Sequence, residues 1–195
     1  MHMGKDNDII RHTEMAAEVL RKGGTILYPT DTVWGIGCDA CNEKAVEKVT
    51  VLKNRPAVKN YIILAADLNM LSRYVVQIPD IARDLLAVAD KPLTIIYPQG
   101  INLALGVTAA DGSIAIRIPS HAFCRALIRK LKRPLLSTSA NISGTNSPAS
   151  YALIDKKLFK MVDWTAPPFL EEGATGAPSS IIRVGLQREI EIIRP

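Results

Sequence analysis

Residues 24–39, GTILYPTDTVWGIGCD, constrain the fold of this chain more than any other stretch. Thr25, Ile26, Leu27 and Tyr28 are uncharged and β-branched, aliphatic or aromatic, which is the make-up of a buried strand. Pro29 ends that strand, because proline has no N–H to donate to a ladder. Thr30, Asp31 and Thr32 then crowd three short oxygen-bearing side chains onto the strand's exit, and Trp34-Gly35-Ile36-Gly37 resumes apolar. Such a cluster reads in two ways. Its side chains bond their own backbone as an Asx or Ser/Thr turn, or they line a ligand-contacting loop at a strand's carboxyl end, with glycines letting the backbone come close.

Helical and strand-like segments interleave along the rest of the chain, which predicts a mixed α/β protein on a twisted open sheet. Met15, Ala16, Val19 and Leu20 share one face of a predicted helix over Thr13–Lys22, stopped by Gly23-Gly24, after a flexible extension over residues 1–11. Asn42 is placed to cap a helix over Glu43–Lys53. Further helices are predicted at Leu68–Tyr74, Pro79–Ala89 and Phe123–Leu131. Strands are predicted at Tyr61–Ala66, Leu93–Tyr97, Ile114–Ile118, Leu135–Leu136, Ser180–Val184 and Glu189–Ile193. Ser137–Ser150 and Glu171–Ser179 read as loops from their Ser, Thr, Gly, Ala and Pro content. A length of 195 residues suits one domain with one core, beginning near residue 12.

No apolar run approaches the roughly 18 residues of a membrane span, and the opening MHMGKDND has no apolar signal core. A cytoplasmic protein away from membranes is therefore expected. Cys38 and Cys41 form a C-x-x-C without a second pair or a nearby histidine, so small buried apolar roles are expected rather than zinc. The net charge of +5 is compatible with a phosphate-bearing ligand or RNA. Walker-type, G-x-G-x-x-G, H-E-x-x-H and G-x-S-x-G motifs do not occur.

Three further pieces can carry chemistry. Lys53-Asn54-Arg55-Pro56 falls where a helix ends; cations there suit the helix dipole, and equally suit phosphate oxygens, with arginine offering a bidentate fork. Arg117 interrupts an apolar strand, so it faces water or meets a partner such as a carboxylate or phosphate. Ser137-Thr138-Ser139-Ala140-Asn141-Ile142-Ser143-Gly144 offers hydroxyls and an amide that donate to phosphate and ribose oxygens or cap a helix beginning near Ser150.

In this order the pieces resemble the threonylcarbamoyl-AMP synthase (YrdC-like) family. The resemblance runs from Gly23 to Arg194 and rests on PTDTVWGIG at Pro29–Gly37, Lys53-x-Arg55, IAIRIP at Ile114–Pro119, Ser139-x-Asn141 with Ser143-Gly144, Pro178-Ser179-Ser180-Ile181, and Ile193-Arg194. It is a resemblance to the short form, without an extra C-terminal domain. It implies a sheet curved around a positively charged cavity, and condensation of L-threonine, bicarbonate and ATP with release of pyrophosphate, Mg²⁺ accompanying the ATP. It also implies that Lys53, Arg55, Ser139, Asn141 and Arg194 hold the nucleotide, Lys53 and Arg55 stabilising charge in the reaction. Thr30, Arg117, Ser137 and Ser180 would surround the threonine, with Arg117 meeting its carboxylate. The implied partners are tRNA or double-stranded RNA and a transferase complex that receives the adenylate for threonylcarbamoyladenosine formation. The chain departs from the family pattern at Trp34, Asn60, Leu64 and Ala89-Asp90-Lys91. A YciO-like paralogue of different activity, and an RNA-binding protein with a basic concave surface, are the alternatives.

Overall fold

The computed structural model describes residues 3–53, 61–142 and 146–195, with side chains from residue 7 onward. Its strands are β1 (Ile26–Tyr28), β2 (Gly35–Asp39), β3 (Ile62–Leu64), β4 (Leu93–Tyr97), β5 (Ile114–Arg117), β6 (Leu135–Ser139), β7 (Trp164–Thr165), β8 (Ser180–Val184) and β9 (Ile190–Arg194). They form one mixed sheet in the order β7-β1-β2-β6-β3-β5-β4-β8-β9. The helices are α1 (Met3–Arg21), α2 (Glu43–Leu52), α3 (Leu68–Leu71), α4 (Asp80–Val88) and α5 (Ala122–Leu131).

Register sorts the sheet into two faces. Cys38, Leu136, Ile63, Ile116, Ile95 and Ile182 stand opposite one another from β2 to β8. Every member of this row is buried in the core, alongside Ala16, Ala17 and Leu20 of α1, Val46 and Val49 of α2, and Phe123, Leu127 and Ile128 of α5. Side chains alternate along a strand with period two, so the neighbouring rows point the other way. One of these rows is Gly37, Ser137, Ile62, Ala115 and Ile96; another is Arg117, Thr94, Ile181 and Arg194. Polar residues thus accumulate on the face turned away from the core.

Helix ends follow local chemistry. The Asn42 side chain accepts from the Ala45 N–H at the start of α2, as a cap should. Lys132, in the left-handed region at φ 60°, closes α5. Several elements depart from expectation, among them β7 at Trp164–Thr165, where no strand was expected, and α3, which stops at Leu71 rather than Tyr74. Helix α1 begins at Met3, where a flexible extension was expected. Its first half has little apolar period, but Ile9 packs on the core and the His12 ring lies 5.6 Å from Phe169. Strand β6 runs on through Ser137, Thr138 and Ser139, expected as loop, because β2 pairs along its whole length, with β3 on the other side as far as Ser137. The helix expected near Ser150 is a single 3-10 turn, Tyr151–Leu153. Among the described residues no helix is long and apolar enough to cross a membrane.

Candidate active site

The polar face carries a cavity of about 330 Å³ whose wall draws on both ends of the chain. Thr30, Thr32, Val33 and Trp34 come from the link between β1 and β2, and Ser137 and Ser139 from β6. Ala115 and Arg117 come from β5, with Ser179, Ile181, Ile193 and Arg194 closing the far side.

The Thr30–Thr32 segment satisfies both of its sequence readings. The Thr30 hydroxyl donates to the Val33 carbonyl at 2.8 Å and accepts from the Thr32 N–H at 3.1 Å, a turn bonded to itself. Both threonines also line the cavity. Asp31 points behind the wall, where one carboxylate oxygen lies 3.3 Å from Arg117 Nη2 and the other accepts from the Ser120 N–H at 3.3 Å. Arg117 is only 5% exposed, so a strand face open to water is excluded. Its Nη2 also lies 3.4 Å from the Thr30 hydroxyl, while Nε has no hydrogen-bond partner among the described residues. The buried charge is balanced from behind, and part of the guanidinium fork is left for the cavity.

Arg194 reaches the same cavity through a bulge. Ile182 pairs with Ile192 but Ile181 pairs with Arg194, so Ile193 is an extra residue in β9. Both Ile193 and Arg194 consequently line the wall. Arg194 Nε donates to the Ser179 carbonyl at 2.8 Å. Burial, and then the positive charge of Arg117, lower the Arg194 pKa. The two arginines stand three strand spacings apart, about 14 Å in a flat sheet. An anion between them relieves their repulsion.

Lys53, at the C-terminal end of α2, is fully buried. Its ammonium donates to the Ser139 carbonyl at 2.7 Å, to Asn141 Oδ1 at 3.0 Å and to the Asn141 carbonyl. Ser139 Oγ donates to the same Asn141 Oδ1 at 2.5 Å. Lys53, Ser139 and Asn141 are therefore one bonded cluster at the end of β6, with Ser139 on the cavity wall and the other two behind it. Of the residues expected from sequence, Thr30, Arg117, Ser137, Ser139 and Arg194 share the wall. Ser180 does not line it; strand alternation turns it away, and Ser179 and Ile181 are the lining residues on either side. Arg55, Ser143 and Gly144 lie outside the described residues.

Other contributors escape sequence reading. The Tyr28 hydroxyl crosses over β2 to donate to Ser137 Oγ at 2.7 Å. A Cβ on Gly37 would sit 2.8 Å from the Tyr28 ring, and one on Gly35 3.5 Å from it. Glycines two apart on one strand, after a tyrosine on the strand before, are the signal for this crossing. Trp34 Nε1 donates to Glu171, which also accepts from the Tyr151 N–H, and the Trp34 and Tyr151 rings lie 5.2 Å apart. That fastening joins residues 137 positions apart and has no local signal. Buried Ser179 and Thr94 share a hydroxyl contact of 2.8 Å at the opposite rim. Cys38 and Cys124 are buried and Cys41 half-buried; all three are free, and burial pushes each thiol's pKa up. Among the described residues no group of three or more His, Cys, Asp or Glu side chains is placed to hold a metal ion.

The Sua5/YciO/YrdC family model, described as telomere recombination, matches residues 18–195. A threonylcarbamoyl-AMP synthase of Idiomarina loihiensis is 38% identical over 173 residues, which cover 86% of this chain and 90% of the relative. P. abyssi Sua5 complexed with L-threonine is similar in structure, with a TM-score of 0.82 and 30% identity. That match covers 90% of this chain but 51% of the other, so the chain spans about half the length of that Sua5. E. coli YciO matches with a TM-score of 0.78 and 25% identity, over 95% of this chain and 89% of that one.

Proposed function

The chain belongs to the Sua5/YciO/YrdC family, and from that premise we propose that it condenses L-threonine, bicarbonate and ATP into threonylcarbamoyl-AMP and pyrophosphate. Relatives named threonylcarbamoyl-AMP synthase support the reaction. The observation that carries it is the pair of arginines, Arg117 and Arg194, facing one small cavity walled by hydroxyls. Such a site suits a substrate with a carboxylate beside one with phosphates.

The threonine amine forms a carbamate with carbon dioxide derived from bicarbonate, losing a proton as the C–N bond forms. A carbamate oxygen then attacks the α-phosphorus of ATP, and the bond from that phosphorus to the β-bridging oxygen breaks. Pyrophosphate leaves with the bond's electron pair. No protein nucleophile is needed, so catalysis rests on alignment and charge stabilisation. In this reading Arg117 receives the amino acid's carboxylate on its open edge, with Thr30 and Ser137 beside it and Ser179, rather than Ser180, on the cavity side. Arg194 and the Ser139–Asn141 segment take the nucleotide, with Lys53 holding that segment from behind through its three donated hydrogen bonds. Arg55 is assigned to the phosphates from its sequence position alone. Mg²⁺ arrives with ATP: the cavity wall has no carboxylate among the described residues, so the phosphates carry the ion.

We place the reaction in the cytoplasm, with the adenylate passed to a transferase complex that modifies tRNA. The deciding experiment incubates the chain with ATP, bicarbonate and each amino acid in turn, and measures pyrophosphate. Release with threonine alone is expected. Release with a different amino acid would point to a paralogous activity, and no release with any would end this reading. Binding to double-stranded RNA that weakens steeply with salt, without amino-acid-dependent turnover, would favour the RNA-binding alternative.

A further inference from the structure

We propose that Tyr28 is a positioning residue for the amino-acid substrate, acting through Ser137 by fixing that serine as a hydrogen-bond donor into the cavity. This deepens the proposed function and rests on it. The two residues lie on β1 and β6, with β2 between them. Tyr28 is fully buried, and its ring reaches Ser137 only because β2 presents Gly35 and Gly37 on that face. The crossing is tightest at Gly37, where an added Cβ would also sit 3.0 Å from the Leu136 carbonyl oxygen. A tyrosine and two glycines thus serve one contact, the 2.7 Å hydrogen bond to Ser137 Oγ.

That contact sets a direction. A serine hydroxyl has one proton and two lone pairs. Tyr28 occupies one lone pair, and among the described residues the serine proton meets no acceptor of its own. Ser137 lines the cavity together with Arg117, so its proton and the guanidinium are offered to the same cavity. A ligand that meets both carries an anionic group, here the amino acid's carboxylate. Burial holds the Tyr28 phenol protonated well above its ordinary range, so the donation persists at any working pH.

The test uses the full chain and its Tyr28→Phe, Ser137→Ala and doubly substituted forms. L-threonine affinity is measured by calorimetry, and KM for threonine and for ATP from pyrophosphate release. Phenylalanine keeps the ring over the glycines, and thermal melting checks the fold. Each single substitution is expected to weaken threonine binding about tenfold, the scale of a hydrogen bond to a charged group, with the KM for ATP little changed. The double variant is expected to bind no worse than Ser137→Ala, because both act on one contact. Unchanged threonine affinity in Tyr28→Phe, or effects that multiply in the double variant, would overturn the inference. A second measurement does not depend on the Tyr28 variant: the preference for L-threonine over L-threoninamide should shrink in Ser137→Ala, and an unchanged preference overturns the carboxylate assignment. An unsubstituted chain that neither binds nor turns over threonine removes the proposed function, and this inference with it.

Discussion

Arg117 and Asp31 form a buried pair, and removing one member exposes how much the other depends on it. Arg117→Met leaves a carboxylate buried without its counter-charge, and is expected to destabilise the chain by about 3–5 kcal/mol. Adding Asp31→Asn should recover a large part of that loss, which urea denaturation of the three variants measures. Arg117→Lys separates charge from geometry: it keeps the cation but loses the planar fork. Threonine affinity is expected to fall roughly 10- to 100-fold, or about 1.4–2.8 kcal/mol, with calorimetry as the readout. A charged residue in an apolar strand was legible as a residue needing a partner. That the partner is Asp31 was not, because the sequence offers only a turn-like cluster and the two meet through sheet pairing. The glycines were legible as places of close approach, but at Gly37 the approaching group is the Tyr28 ring.

At the level of elements, β4 and β8 match their sequence expectation residue for residue: β4 is a largely apolar run between two prolines, and β8 is a largely β-branched run stopped by Gly185. Strand β6 was legible only in its first two residues. A Ser-Thr-Ser run has no apolar pattern of its own, and it is pairing with β2, joined by β3 at Ser137, that makes Ser137–Ser139 a strand. The β9 bulge left a trace, the Ile192-Ile193 doublet that breaks the alternation of isoleucine with glutamate. Deleting Ile193 should restore a regular ladder while keeping the arginine opposite Ile181. Such a chain keeps the charge and loses one apolar wall residue, so its KM for ATP should rise several-fold, consistent with about 1 kcal/mol of lost contact. Arg194→Ala, which removes the charge, should raise it tenfold or more. Pyrophosphate-release kinetics with the two variants distinguish the effects, and equal losses would deny Ile193 a lesser share.

Across the whole molecule, the interleaving of helices and strands was enough to predict a mixed α/β sheet, but not its strand order. That order joins segments far apart in sequence: β1 pairs with β7, and β6 lies between β2 and β3. His121 ties such distant parts together, its Nε2 lying 2.9 Å from the Leu170 carbonyl oxygen. Burial lowers its pKa below the ordinary 6.5. The unfolded chain therefore takes up this proton first on acidification, and stability should fall as pH drops below about 6.5 toward the lowered value. The urea midpoint should decline from pH 7 to pH 5, and His121→Gln should flatten that decline; an equal slope in the variant would assign it elsewhere. The distribution of the cavity wall along the chain has a consequence for synthesis. A polypeptide growing on the ribosome has β1 to β6 before it has Ser179, Ile181, Ile193 or Arg194. It can assemble most of its interior early, yet the cavity wall is unfinished until β8 and β9 emerge, so on the proposed function a half-made copy is expected not to consume ATP.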